Sequence, residues 1–167
     1  LYKNLLFWLA RKIDRPLVPP DTLQLCFTFR CNLKCKMCNM DRKMEELRLM
    51  GRPFELSFDL MKDLILQAYH MGIKEVYFVG GEPLIEQRIF DLVVHATQRG
   101  MRAVMNTNGL LLNDEKMNKI FDSGLSCLTF SIDGPDKETY EKIRGERIFE
   151  DVMNNLRSLL AKRRERK

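Results

Sequence analysis

The sequence predicts an α/β fold built on a parallel sheet. Four short segments rich in β-branched and aromatic residues alternate with four longer segments in which apolar residues recur at helical spacing. The short segments are nearly continuously apolar, which is typical of strands covered on both faces. Successive β-α units of this kind form parallel sheets. An open doubly wound sheet and part of a β/α barrel both fit, and both place function at the carboxyl ends of the strands.

The predicted strands and helices follow one another in a regular order. The strands cover residues 22–29, 75–80, 101–109 and 126–134. The helices lie between residues 57 and 72, 86 and 100, 113 and 124, and 149 and 160. Ser57 and Asn113 are suitable N-caps, and a glycine follows each of the first three helices as a stop signal.

Composition and charge limit the function classes. The chain has 167 residues, of which 45% are hydrophobic and 31% charged, as expected of one domain with its own core. The net charge of +5 is concentrated in residues 161–167. We interpret that basic tail as a solvated helix end and expect no nucleic-acid partner. No apolar run approaches the roughly 20 residues of a membrane span, so none is expected.

Residues 1–20 are predicted to form an amphipathic helix followed by a proline-rich linker, and residues 21–167 the main domain. Leu5, Leu9 and Ile13 recur every fourth residue beside Trp8. A helix packed on the domain is the favoured interpretation, and an interfacial membrane helix is the alternative.

Unusual chemistry follows each predicted strand. A loop with three cysteines comes after the first strand, "GGEP" (residues 80–83) after the second and "NTNG" (residues 106–109) after the third, and the fourth ends in "SIDG" (residues 131–134). Carboxyl ends of parallel strands lie at one edge of a sheet, so these four motifs are expected to form one site.

The cysteine loop indicates a metal centre. Cys31, Cys35 and Cys38 have C-x3-C-x2-C spacing, which lets a compact loop place three thiolates around one corner of an iron–sulfur cluster. A zinc site is the alternative, but it requires a fourth ligand, and neither His70 nor His95 stands in a zinc-type pair.

The two remaining cysteines are predicted to have no ligand role. Cys26 and Cys127 lie inside predicted strands, where a free thiol usually packs as a small hydrophobic group. We therefore expect both in the core.

Two motifs carry a resemblance to a known family. "CNLKCKMC" resembles the cluster signature of the radical S-adenosylmethionine superfamily, and "GGEP" resembles its second motif. Residues 131–145 are similar to the branch that carries SPASM or twitch domains, which includes peptide maturases, anaerobic sulfatase-maturating enzymes and molybdopterin-precursor synthases. The resemblance implies a partial (β/α) TIM-type barrel with parallel strands. About four of six expected units are present, which suggests a truncated core or a fragment.

The resemblance also implies a set of site residues. A [4Fe-4S] cluster would be held by Cys31, Cys35 and Cys38, with S-adenosylmethionine on the open iron. The implied contacts to S-adenosylmethionine are Gly80, Gly81, Glu82 and Pro83 to the methionine amino group, Ser131 and Asp133 to the ribose, Arg144 to the carboxylate, and Met37 to the adenine, where many relatives have an aromatic residue. Asn106 and Asn108 either line the pocket or only shape the turn.

The implied function is radical enzymology. Reductive cleavage of S-adenosylmethionine would give a 5′-deoxyadenosyl radical that abstracts hydrogen from a substrate. A peptide or protein side chain is the favoured substrate, and a small molecule is the alternative. The resemblance implies flavodoxin or ferredoxin as electron donor and a reducing cytoplasm. The competing hypotheses are a truncated, non-catalytic iron–sulfur-binding fragment and a zinc-stabilised binding module.

Overall fold

The computed structural model describes residues 2–166, and it contains a single four-stranded sheet over that range. The strands are β1 (Thr22–Cys26), β2 (Glu75–Val79), β3 (Arg102–Thr107) and β4 (Cys127–Phe130). The helices are α1 (Tyr2–Ile13), α2 (Met40–Leu49), α3 (Phe58–His70), α4 (Ile89–Thr97), α5 (Asp114–Asp122), α6 (Lys137–Arg144) and α7 (Phe149–Glu165). A short 3₁₀ turn at Pro83–Ile85 follows β2.

All neighbouring strands are parallel, and their order in the sheet is β1-β2-β3-β4. Gln24, Tyr77, Val104 and Cys127 stand in one row across the sheet. The strand order follows the chain without reversal, as in a β/α barrel, whereas a doubly wound sheet reverses its order at a switch point. The parallel α/β prediction is therefore confirmed, and the barrel alternative is the one that fits.

The core lies between one face of the sheet and the helices. Leu25, Val76, Phe78, Ala103 and Met105 point to this face and are almost completely buried. They pack on buried residues of α3, α4 and α5, which include Met61, Ile65, Leu92, Val93, Met117 and Ile120. Because side chains alternate between the faces of a strand, every second strand residue enters this core.

The opposite face of the sheet is open among the described residues, and this corrects two predictions. Cys26 and Cys127 are exposed, not packed in the core. Cys26 follows Leu25 and Cys127 precedes Leu128, and both leucines face the helices. Because successive side chains of a strand point to opposite faces, the two thiols lie on the face away from the core. The apolar composition of the strands suggested two covered faces, but the described helices cover one.

Helix α1 does not bury its apolar stripe. Leu5, Trp8 and Ile13 are 52%, 56% and 53% exposed, and only Leu9 of the predicted stripe is half-buried. The expectation that these residues pack on the domain is wrong for the three exposed ones. No helix in the described part of the chain has the length and apolar character needed to cross a membrane.

Two helices were not predicted from the sequence. Helix α2 has no buried residue, so it lacks the apolar periodicity by which helices are recognised. Helix α6 is short; it begins after Asp136, whose side chain accepts a hydrogen bond from the backbone N–H of Thr139, and it ends at Gly145 with φ of 78°. The predicted strands also ran too far at their carboxyl ends, and the residues in excess are loops that form the site.

Candidate active site

The four strand-end motifs meet around one cavity of about 130 Å³. The loop after β1 contributes Cys31, Leu33, Cys35, Met37 and Cys38 to its lining. The ends of β2 and β3 contribute Gly81, Glu82, Asn106, Thr107 and Asn108, and Ser131 and Arg144 complete it from the β4 side. The prediction that these motifs form one site at the carboxyl edge of the sheet agrees with this geometry.

The cysteine loop is held by hydrogen bonds to the end of α6. The backbone N–H of Lys36 donates to the carbonyl of Arg144 at 2.9 Å, and the N–H of Lys34 donates to the Glu146 carboxylate at 3.1 Å. Within the loop, the N–H of Cys38 donates to the carbonyl of Cys35 at 2.9 Å. The loop therefore has a fixed position although few of its side chains are buried.

The three thiols differ in environment. Cys31 and Cys35 are half-buried, and Cys38 is exposed. Burial raises the pKa of Cys31 and Cys35, and the neighbouring thiols raise both further. The Arg144 guanidinium opposes this rise at Cys35, but the pKa of that thiol stays above its ordinary value. A cation beside a thiol favours the thiolate, which is the form that binds metals.

Within residues 2–166, no three Cys, His, Asp or Glu side chains converge as the ligands of a single metal ion would. The three thiols do border one cavity together. A polynuclear iron–sulfur cluster does not need three ligands on one metal ion, because each thiolate binds a different iron. The donor set and the N–H groups that face two of the sulfurs, described below, fit such a cluster.

The two glycines of "GGEP" are required by close packing against the cysteine loop. Gly80 has φ of 139°, and a Cβ at this position would lie 2.5 Å from the Thr28 carbonyl oxygen. A Cβ at Gly81 would overlap the Arg30 carbonyl oxygen. The backbone N–H groups of Gly81 and Glu82 bond to these same carbonyls at 2.7 and 2.9 Å. The glycines thus bring the end of β2 against the start of the loop.

Glu82 is buried, and its carboxylate is occupied by protein donors. The residue is 1% exposed. One oxygen accepts hydrogen bonds from the backbone N–H of Leu84 at 3.0 Å and the hydroxyl of Thr107 at 2.8 Å, and the other accepts from the backbone N–H of Asn108 at 2.8 Å. Desolvation raises the pKa of this carboxyl, and the three hydrogen bonds and the nearby Lys116 lower it in part.

Pro83 follows in the same turn and is also buried. It occupies the start of the 3₁₀ segment Pro83–Ile85, where a missing N–H costs nothing. It therefore fixes the direction in which the chain leaves the site.

Asn108 both lines the cavity and shapes the turn. It is 6% exposed. Its side-chain oxygen accepts from the N–H of Leu110 at 3.0 Å, and its side-chain nitrogen lies 2.8 Å from Asn32 Oδ1 and 3.9 Å from Cys31 Sγ. The sequence suggested these two roles as alternatives. The contact to a cysteine 77 positions away had no local signal in the sequence.

Arg144 joins three features of the site. It is 4% exposed. Its Nε donates to Asp133 Oδ2 at 2.8 Å, and its Nη2 donates to the Ser131 carbonyl at 2.7 Å. Nη2 also lies 2.7 Å from Asp133 Oδ2, which completes an ion pair. Its Nη1 lies 3.8 Å from Cys35 Sγ. The expected pairing of Arg144 with an external carboxylate thus has an internal competitor, Asp133.

The remaining predicted contacts lie at the cavity wall and rim. The Ser131 hydroxyl donates to Asn106 Oδ1 at 3.3 Å. Met37 lines the cavity and is 54% exposed, so its thioether is accessible from outside.

Comparison with known proteins identifies the family. The family profile of the radical SAM superfamily matches residues 25–165. An AdoMet-dependent heme synthase of Nitratidesulfovibrio vulgaris is 36% identical over 77% of this chain and 34% of its own length. An Fe-coproporphyrin III synthase of Methanosarcina barkeri is 39% identical over 71% of the chain and 28% of its own length. A PqqA peptide cyclase of Rhodopseudomonas palustris is 30% identical over 75% of the chain and 32% of its own length.

Solved structures share the fold. Streptococcus suis SuiB bound to the precursor peptide SuiA superposes with a TM-score of 0.68 at 18% identity, over 93% of this chain and 34% of SuiB. The chain thus spans about a third of the length of these proteins. The partial (β/α) TIM-type barrel is confirmed by this likeness. Because the family profile covers most of its residues, the chain belongs to the radical SAM superfamily.

Proposed function

We propose that this cavity is the cluster and S-adenosylmethionine site of a radical SAM enzyme core. The observation that carries the proposal is that Cys31, Cys35 and Cys38 border the same cavity as the motifs from the other three strand ends. When bound, a [4Fe-4S] cluster supplies the electron that cleaves S-adenosylmethionine to methionine and a 5′-deoxyadenosyl radical, which takes hydrogen from the substrate.

Three thiolates would hold the cluster and leave one iron for S-adenosylmethionine. Cys31 and Cys35 also lie within reach of side-chain N–H groups, from Asn108 and Arg144 respectively. Such donors favour thiolates over thiols because hydrogen bonds stabilise the charged form.

The proposed contacts to S-adenosylmethionine divide into accessible and occupied groups. The Ser131 hydroxyl and the Met37 thioether face the cavity and are assigned to the ribose and the adenine. Backbone carbonyls of Gly80–Pro83 are assigned to the methionine ammonium. The carboxylates of Glu82 and Asp133 and the Arg144 guanidinium already have protein partners. We assign them first to holding the strand ends in place, and ligand contact requires these partners to exchange.

A peptide or protein side chain is the proposed substrate. It is supported by the similarity of residues 131–145 to peptide maturases and by the likeness to the PqqA peptide cyclase. A tetrapyrrole is the second candidate, because the two relatives of higher identity are named heme synthase and Fe-coproporphyrin III synthase. Flavodoxin or ferredoxin is the proposed electron donor.

Anaerobic reconstitution with iron and sulfide tests the proposal. We expect a four-iron spectrum that shifts when S-adenosylmethionine is added, and release of 5′-deoxyadenosine under a low-potential reductant. Cluster binding without cleavage would support the non-catalytic fragment instead. Tight stoichiometric zinc binding without affinity for iron would support the zinc-stabilised module and end both iron-based hypotheses. Precursor peptide and coproporphyrin added separately then distinguish the substrate classes by which one accelerates 5′-deoxyadenosine release.

A further inference from the structure

We infer that Asn108 is a positioning residue that donates a hydrogen bond to the Cys31 thiolate and raises the reduction potential of the cluster. This inference rests on the proposed function, since it requires a cluster on Cys31. It gives Asn108, which follows β3, a specific role toward the cluster. From the sequence, this residue was expected either to line the pocket or only to shape the turn.

The orientation of the Asn108 amide follows from its surroundings. The backbone N–H of Leu110 is a donor and lies 3.0 Å from one end of the amide, so that end must be the oxygen. The nitrogen therefore points to the cysteine loop. Its two N–H groups have two acceptors there, Asn32 Oδ1 at 2.8 Å and Cys31 Sγ at 3.9 Å. Each polar atom of this buried side chain thus has a partner, and no rotation of the amide would keep all of them.

The turn that presents Asn108 is anchored by the buried Glu82 carboxylate. Glu82 accepts from the backbone N–H of Asn108 and from the Thr107 hydroxyl, both at 2.8 Å. The Thr107 hydroxyl in turn accepts from the N–H of Gly109 at 3.0 Å. These hydrogen bonds fix the backbone of residues 107–109 against the end of β2. The Asn108 side chain is therefore kept next to Cys31.

A hydrogen bond to a cluster sulfur changes the potential in a defined direction. Reduction adds negative charge to the cluster and its thiolates, so an N–H donor stabilises the reduced state more than the oxidised state. The bond is long when the acceptor is a neutral thiol. A thiolate is a stronger acceptor, and charge-assisted bonds are shorter.

The test is the midpoint reduction potential of the reconstituted cluster, measured by an EPR-monitored redox titration without S-adenosylmethionine or turnover. Asn108→Asp keeps the shape and the oxygen that accepts from Leu110, but replaces the donor by an acceptor. Asn108→Leu removes the donor without adding charge. We expect both variants to bind iron as the wild type does, with potentials shifted to more negative values, the Asp variant further because of its charge.

Asn155 provides a matched control. Its side-chain nitrogen donates to the carbonyls of Gly109 and Leu110 at 2.9 and 3.3 Å, so it supports the same turn from α7. Asn155→Leu should loosen the turn and leave the potential unchanged. An equal shift in Asn155→Leu and Asn108→Leu would overturn the inference, because the effect would then be structural. So would an unshifted potential in Asn108→Leu.

Cluster content separates this inference from the proposed function. If the wild type binds no cluster, both are wrong. If the wild type and Asn155→Leu bind a cluster but both Asn108 variants lose it while keeping a native circular dichroism spectrum, the proposed function stands and the inference is overturned, since Asn108 would be holding the loop.

Discussion

The carboxylate of Glu82 accepts a 2.8 Å hydrogen bond from the backbone N–H of Asn108, which ties the end of β2 to the end of β3 inside the domain. The adjoining "GG" turn ties β2 to the cysteine loop by two further backbone hydrogen bonds. The site is therefore built by contacts among three strand ends.

Replacing Glu82 by Ala should destabilise the domain strongly. The change leaves the N–H groups of Leu84 and Asn108 and the Thr107 hydroxyl without their acceptor, and buried unsatisfied donors cost about 1–3 kcal/mol each. The variant also removes the cost of burying a carboxylate, which offsets part of this loss. We expect a net loss of about 2–4 kcal/mol in the free energy of unfolding, measured by urea denaturation. Glu115→Ala is the control, since Glu115 is exposed, and its unfolding midpoint should stay near that of the wild type. Equal midpoints for the two variants would contradict the assigned role.

The stability of the domain should also depend on pH through Glu82. Burial raises the folded-state pKa of this carboxyl above its ordinary value. A raised folded pKa means that the stabilisation is present below the unfolded pKa and is lost as the pH rises through the folded pKa. The unfolding free energy of the wild type should therefore fall relative to that of Glu82→Gln as the pH rises above the ordinary glutamate pKa and through the raised folded-state pKa. Parallel curves over this range would contradict the prediction.

Gly81→Ala should cost more than Gly100→Ala, although both glycines follow regular elements. At Gly81 the added Cβ would overlap the Arg30 carbonyl oxygen, so the cysteine loop has to move. At Gly100 nothing lies within 4 Å, and only the φ of +74° opposes a side chain, at about 1–2 kcal/mol. Thermal unfolding of both variants compares the costs, and iron content after reconstitution should fall only in Gly81→Ala. Full iron content in that variant would show that the loop does not depend on this contact.

Arg144→Lys should weaken the β4 side of the site. Lysine lacks the planar fork that contacts Asp133, the Ser131 carbonyl and Cys35 together. Since Asp133 is partly exposed, we expect a modest loss of about 1–2 kcal/mol, measured by thermal unfolding. Arg157→Lys is a suitable control, because Arg157 is exposed on α7 and donates to Asn154 Oδ1 at 3.0 Å within the same helix. Identical stabilities for the two variants would argue that the buried contacts of Arg144 are dispensable.

The sequence was sufficient to predict the parallel sheet and the meeting of the strand-end motifs at one edge of it. Glycine stop signals and apolar segments defined the β-α units, and the parallel topology then required that the cysteine loop meet "GGEP" and "NTNG". The faces of the strands were harder to assign. Leu25 is buried and Cys26 is exposed, because they point to opposite faces of the strand. Both residues are apolar, so the sequence shows no alternation that would reveal which of them faces the core.

Long-range polar contacts were beyond prediction for a different reason. Asn108 and Cys31 are 77 positions apart, and Arg144 and Cys35 are 109 apart. Local patterns indicate that "NTNG" forms a turn, but the partners of Asn108 and Arg144 depend on how the loops pack after the sheet forms. The burial of Glu82 belongs to the same class, because a carboxylate in a glycine turn is usually exposed.

We propose that Cys31, Cys35 and Cys38 hold a [4Fe-4S] cluster with one iron open to S-adenosylmethionine. The EPR spectrum of the reduced, reconstituted protein, recorded with and without S-adenosylmethionine, tests it most directly. We expect a four-iron signal that changes on addition of S-adenosylmethionine in the wild type, in Cys26→Ala and in Cys127→Ala, and loss of the signal in Cys35→Ala. An intact signal in Cys35→Ala, or its loss in Cys26→Ala, would contradict this assignment of the cluster ligands.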